Sequence, residues 1–196
     1  MTAGRGSRGA VFPLYIWMIT GLLTVAFLFF VFAQAAVTRS GGQSAADAAA
    51  LAAAREARDQ LFDDFQDALG DEDGDLEDIL DGGGSRTAAP CSVAAPRFAE
   101  RNGAEVVACA ADEASLSYTV RVRTLEPVGE SLIPSTSDAY AEAEATAVVE
   151  SRCALASADE DRVEFRCAEG RDWTFDPEDE DELPEARDMF HVFLED

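Results

Sequence analysis

The 196-residue chain sets 39 acidic residues against 15 arginines and a single histidine, for a formal net charge of −24. So acidic a surface repels nucleic acid, and one histidine, His191, excludes a multi-histidine metal site. The length suffices for one modest domain once any membrane span is set aside.

Residues 1–10 form a short leader with Arg5 and Arg8 and no acid. From Val11 to Val37 there is no charged residue, which exceeds the roughly 20 apolar residues that a bilayer crossing needs. Pro13 stands at the start, where its missing N–H removes no helical bond. Tyr15 and Trp17 sit near one end, as amphipathic rings do at the headgroup layer, and the leader arginines predict a cytoplasmic N-terminus. A single-pass anchor follows, with everything beyond about Arg39 extracytoplasmic. Taking the two leader charges from −24 leaves −26 outside.

Arg8-Gly9-Ala10 before the apolar run has the layout of a prepilin-type leader, which is cut after glycine, so Gly9 and Ala10 are the candidate cleavage pair. Leu14 stands where such leaders carry a glutamate, and Tyr15 matches the aromatic that often follows. A plain uncut anchor is the alternative. Ala33-Gln34-Ala35 also resembles a signal-peptidase site, but the apolar run far exceeds a signal-peptide core.

Residues 38–69 continue as an extracytoplasmic helix, with Leu51, Ala54, Leu61, Phe62, Phe65, Ala68 and Leu69 at helical spacing. The small surface from Ala45 to Ala54 suits close helix approach, either to this chain's own sheet or to neighbouring subunits. Gly41-Gly42 leaves room for a kink or hinge at the junction with the span, but a glycine pair costs only about 2 kcal/mol relative to alanine, so one continuous helix is the simpler reading.

Residues 70–90 read as an acidic, glycine-rich linker with room for one short helix. Asp71, Asp73 and Asp75 alternate as calcium ligands do, but Gly74 is out of place and Gly82 stands where a closing glutamate belongs. An EF-hand is excluded, while weak calcium binding or attraction of a basic partner stays open on charge alone.

Residues 91–196 read as a small, mainly antiparallel α+β ectodomain with an acidic C-terminal segment. Ser92 is expected to cap a short helix that packs through Phe98 and stops at Gly103. The stretches 105–110 and 115–125 alternate as a hairpin, with Arg121 and Arg123 on its polar face as ion-pair partners for carboxylates. A third strand over 139–151 turns Ala141, Ala143, Ala145, Ala147 and Val149 to one face. A second hairpin joins 163–167 to 172–175 around Glu169-Gly170, with Trp173 as its packing anchor. After the acidic run 176–182, a helical turn leads into a terminal strand with Phe190, Val192 and Leu194.

Cys91, Cys109, Cys153 and Cys167 form an even set on the exported side, where disulfides persist. Three connectivities exist; pairing of neighbours, Cys91 with Cys109 and Cys153 with Cys167, closes two short loops and is the expectation. With no CxxC, a zinc site is disfavoured. Phosphate loops, nucleophile elbows and HExxH motifs are missing, so neither catalytic residues nor a cofactor are expected.

The run from Arg5 to Ala54, with RG before the span, Arg39 after it and QSAADAAALAAA beyond, resembles TadE/TadG-like tight-adherence pilus-assembly proteins, chiefly the TadG-related members. VRVRTLEPVG and ATAVVESRC are similar to TadG-related proteins as well. The resemblance implies a minor pilin-like or envelope component of Flp-type pilus machinery. Its partners would be the lipid bilayer and other pilus-assembly or envelope proteins, and its role assembly, anchoring or adhesion rather than catalysis. The rival reading is an anchored or secreted acidic module that binds cations, a basic protein or a wall polymer. An exported hydrolase using scattered carboxylates comes third.

Overall fold

A computed structural model gives the fold and describes residues 11–69, 74–84, 87–112, 114–127, 140–159, 161–177, 179 and 182–195. Its backbone element is helix α1, Val11–Leu69, whose 59 residues extend about 88 Å at 1.5 Å per residue. Good helix formers and the absence of a proline beyond the first turn carry it past Gly41-Gly42 without interruption. The glycine pair is therefore a docking point and not a break. A side chain at Gly42 would lie 3.6 Å from the Thr124 methyl and 3.8 Å from Ala141 and Ala143.

Beyond Gly42 the helix enters the core. Ala45, Ala46, Ala49, Ala50, Ala53 and Ala54 are fully buried, followed by Ala57, Leu61 and Phe65. Burial runs nearly round the helix because a sheet covers one side and a helical segment ending at Arg101 covers another. Alanine permits that double approach, since larger side chains would hold the layers apart. The small surface thus serves this chain's own sheet.

A four-stranded antiparallel sheet lies on α1. The expected hairpin forms from β1 (Ala104–Asp112) and β2 (Ser117–Thr124), with a bulge between Val106 and Ala108. Strand β3 (Glu142–Ser151) turns Ala147 and Val149 fully inward, as its alternation predicts. Terminal strand β7 (Phe190–Leu194) pairs with β3 and buries Phe190, giving the order β1-β2-β3-β7.

A second sheet, β4 (Cys153–Asp159), β5 (Arg162–Cys167) and β6 (Trp173–Phe175), closes the far end of the helix. Phe65 meets Phe165 at 5.7 Å between ring centres, and Phe165 meets Phe175 at 5.7 Å. Strand β4 is an addition to the expected elements, because CALASAD has little of the β-branched or aromatic character that marks strands. Both disulfides join neighbours: Cys91 to Cys109 with Cα atoms 5.6 Å apart, and Cys153 to its register partner Cys167 at 3.9 Å.

Between these layers the acidic stretch contains helix α2, Leu76–Leu80, started by the Asp75 carboxylate accepting from Asp78 N–H and fixed by buried Leu76 and Leu80. Asp71, Asp73 and residues 128–139 lie outside the described residues. A π-helical turn over Pro90–Ala94 leads into α3, Ala95–Arg101. Ser92 is thus no cap: the helical chain already runs beneath it, and its hydroxyl donates to the Ala88 carbonyl at 2.7 Å. Nor is Phe98 the core contact. Ala95 and Ala99 are buried, while the Phe98 ring carries the Arg101 guanidinium 5.5 Å from its centre. Gly103 does end the segment, at φ +72°. Helix α4, Ala186–Met189, gives the expected turn before β7.

Candidate functional site: the exposed apolar half of the long helix

The first half of α1 stands clear of the rest of the fold. Every residue from Pro13 to Val31 is exposed, and these 19 residues are long and apolar enough to cross a membrane. Leu14, Tyr15, Ile16, Trp17, Leu22, Val25, Phe29 and Phe30 project into the surroundings. Leaving that surface in water forgoes about 25 cal/mol for each Å² of apolar area, so an apolar environment must cover it. The Thr24 hydroxyl is satisfied within the helix, where it donates to the Thr20 carbonyl at 2.8 Å.

Gly21 leaves a shallow notch on this surface, bounded by Trp17, Met18, Leu22, Val25, Ala26 and Phe29. Spacings of four residues, 17-21-25-29 and 18-22-26, set these side chains on one face. The sequence marks Gly21 only as a small residue of a kind common in membrane helices; the four-residue repeat around it is the signal that could have found the notch. Leu14, where a prepilin glutamate would stand, is an exposed apolar residue of the same surface. Gly9 and Ala10 lie outside the described residues.

The acidic domain brings its charges together as pairs on the outer face of the large sheet. Arg121 donates to Glu144 at 2.7 and 3.0 Å, and Arg123 donates to Glu105 at 2.9 Å through Nε. Hydrogen bonding to Glu105, reinforced by the Glu105 charge, raises the Arg123 pKa above the usual arginine value. Arg123 therefore stays cationic at every working pH. His191 is exposed and stacks on Phe193 at 5.5 Å. Among the described residues, no three of His, Cys, Asp and Glu converge as metal ligands do.

A second depression, about 760 Å³, runs between the π-turn and the free edge of β1, with Pro90, Pro96, Val107 and Tyr118 in its wall. Its charged side chains are Glu100 and Glu105, the latter already paired with Arg123.

The apolar surface and the start of the alanine band coincide with a match to a protein-family model, the putative Flp pilus-assembly TadE/G-like family, over residues 9–56. This segment is TadE/G-like. No curated protein and no solved structure matches the chain. The TadE/G-like segment thus comprises the candidate span, the Gly41-Gly42 junction and the first turns of helix that enter the core. Among the described residues, this segment also holds the one helical stretch long and apolar enough to cross a membrane.

Proposed function

We propose that the protein is a non-enzymatic, membrane-anchored component of Flp-type pilus assembly. In this reading its helix packs laterally against other assembly proteins, while the acidic, disulfide-stapled domain stands outside the cytoplasmic membrane. The observation that carries the reading is the coincidence of the TadE/G-like match with a helix half of which is bare and apolar.

The orientation follows from Arg5 and Arg8 on the N-terminal side, which favour the cytoplasm, and from two disulfides, which favour an oxidising compartment on the other. Leu14 supplies no carboxylate near the N-terminus, so we take the Gly9-Ala10 bond to remain uncut and the helix to serve as a permanent anchor. The net negative charge of the exported part keeps domains apart until specific helix contacts bring them together.

Deletion of the gene should abolish surface Flp-type pili, and the full-length chain should restore them. Val25→Arg, which places a charge in the middle of the span, should fail to restore them and should reduce membrane retention, because a central arginine costs about 2.5–3.5 kcal/mol on insertion. Normal piliation in the deletion strain would refute the proposal.

A further inference from the structure

Helix α1 leaves the globular domain at Gly42, against the paired ends of β2 and β3. Thr124 N–H donates to the Ala141 carbonyl at 2.9 Å, and the Thr124 hydroxyl accepts from Ala141 N–H at 3.1 Å. The next residue outward on each strand is large and exposed: Leu125 at 52% and Tyr140 at 49%. The turn from α3 into β1 reaches the same end, where Leu125 N–H donates to the Gly103 carbonyl at 2.8 Å. Outside α1, the exposed large apolar side chains among the described residues are Val93, Val107, Leu125, Tyr140 and Phe193, so two of these five flank the point of exit.

The position of the bilayer follows from the helix. Tyr15 and Trp17 favour one headgroup layer, and a hydrocarbon core about 30 Å thick takes roughly 20 residues, from about Trp17 to about Val37. Gly42 comes about 8 Å further on at 1.5 Å per residue, close to the depth of one headgroup layer. The end of the domain that bears Leu125 and Tyr140 is therefore level with the lipid surface.

We propose that this end of the domain is a lipid-contact face, with Leu125 and the Tyr140 ring seated in the headgroup layer of the bilayer that α1 crosses. Tyr140 suits the place, having an apolar ring and a polar tip. The Arg123 guanidinium lies 5.8 Å from the centre of that ring and supports it. Glu126 and Glu142 stand at the same end, so the contact is apolar and aromatic and does not depend on anionic lipid. Two attachments, a span and a seated face, fix the angle of the domain to the membrane, which a lone helix would leave free.

This inference rests on α1 crossing the bilayer over about residues 17–37, and one experiment separates the two. The full-length chain is reconstituted in phosphatidylcholine vesicles with bromines at a shallow or a deep acyl position, and tryptophan quenching is measured. Quenching in the parent protein reports Trp17 and hence the span; Trp173, in the small sheet at the far end of α1, stays unquenched. In a Trp17→Phe background, Tyr140→Trp should add a blue-shifted emission quenched about twofold by the shallow bromines and less by the deep ones. Replacing a fifth of the lipid by phosphatidylglycerol should leave that quenching unchanged. An unquenched, red-shifted emission from Tyr140→Trp, with Trp17 quenched in the parent, would overturn the lipid-contact face and leave the span intact. Should Tyr140→Trp fail to fold, Leu125→Trp in the same background gives the same readout: shallow quenching supports the seated face and an unquenched, red-shifted emission overturns it.

Discussion

At the scale of single residues, the glycines of α1 separate what the helix requires from what it tolerates. A Cβ at Gly41 would meet nothing within 4 Å, and one at Gly42 would make ordinary contacts with Thr124, Ala141 and Ala143. Each glycine costs the helix up to about 1 kcal/mol relative to alanine. Gly41→Ala and Gly42→Ala should therefore each stabilise the folded domain by about 0.5–1 kcal/mol, measured by urea unfolding of the full chain in detergent. Gly82 is the opposite case. Its φ of +91° is left-handed, and a Cβ there would lie 2.5 Å from the Leu116 side chain. Gly82→Ala should cost at least the roughly 1–2 kcal/mol of the backbone conformation alone. Arg123 calls for a pH statement of a particular sign. Its raised pKa means that its pairing with Glu105 contributes fully below the ordinary arginine value and is lost only above the raised one. Alkaline titration up to about pH 11 should leave that contribution untouched, which the chemical shift of the Arg123 Cζ carbon can follow.

At the scale of elements, the core depends on one helix serving two sheets. Phe65 is the hinge of that arrangement, fully buried and in contact with Phe62 and Phe165. Phe65→Ala should destabilise the domain by about 3–5 kcal/mol and should loosen β4–β6 first, visible as faster amide exchange at Val163 and Phe165. The Cys91–Cys109 bridge closes a loop with a sequence separation of 18 and ties the π-turn to β1. Converting both cysteines to alanine should cost about 3 kcal/mol on chain-entropy grounds. Much of this architecture is legible in the residues. An uncharged run followed by helix formers points to a long helix, and alternation in SLSYTVRVRTL and AEAEATAVVES gives β2 and β3 with their inner faces. What escapes the sequence is set by tertiary context. Strand β4 has alanine and serine where strands prefer branched side chains, and it forms because β5 and the Cys153–Cys167 bridge hold it. The pairing of neighbouring cysteines is itself the clue to two adjacent antiparallel strands. Ser92 has the residue type of a cap, but Pro90 starts the helical chain ahead of it. The lateral notch at Gly21 is invisible to hydrophobicity alone, since every residue around it is apolar and only spacing distinguishes a face.

At the scale of the whole molecule, the chain divides its surface into two kinds of exposure with different physical meaning. The domain is acidic, with arginines paired across strands; the first half of α1 is apolar and exposed, uncovered by any other described residue. Exposed ion pairs like those of Arg121 and Arg123 add little to stability. The stabilising energy resides in the buried layer, and the proposed assembly function in the bare helix. The most direct test is site-specific photocrosslinking in the native membrane, with a photoreactive side chain at Leu22 in the notch and a control at Arg162 on the small sheet. Adducts from Leu22 with membrane proteins of Flp pilus assembly, absent from the control, are the expected result. Crosslinks from Leu22 to lipid alone would contradict the claim that this helix acts by lateral packing.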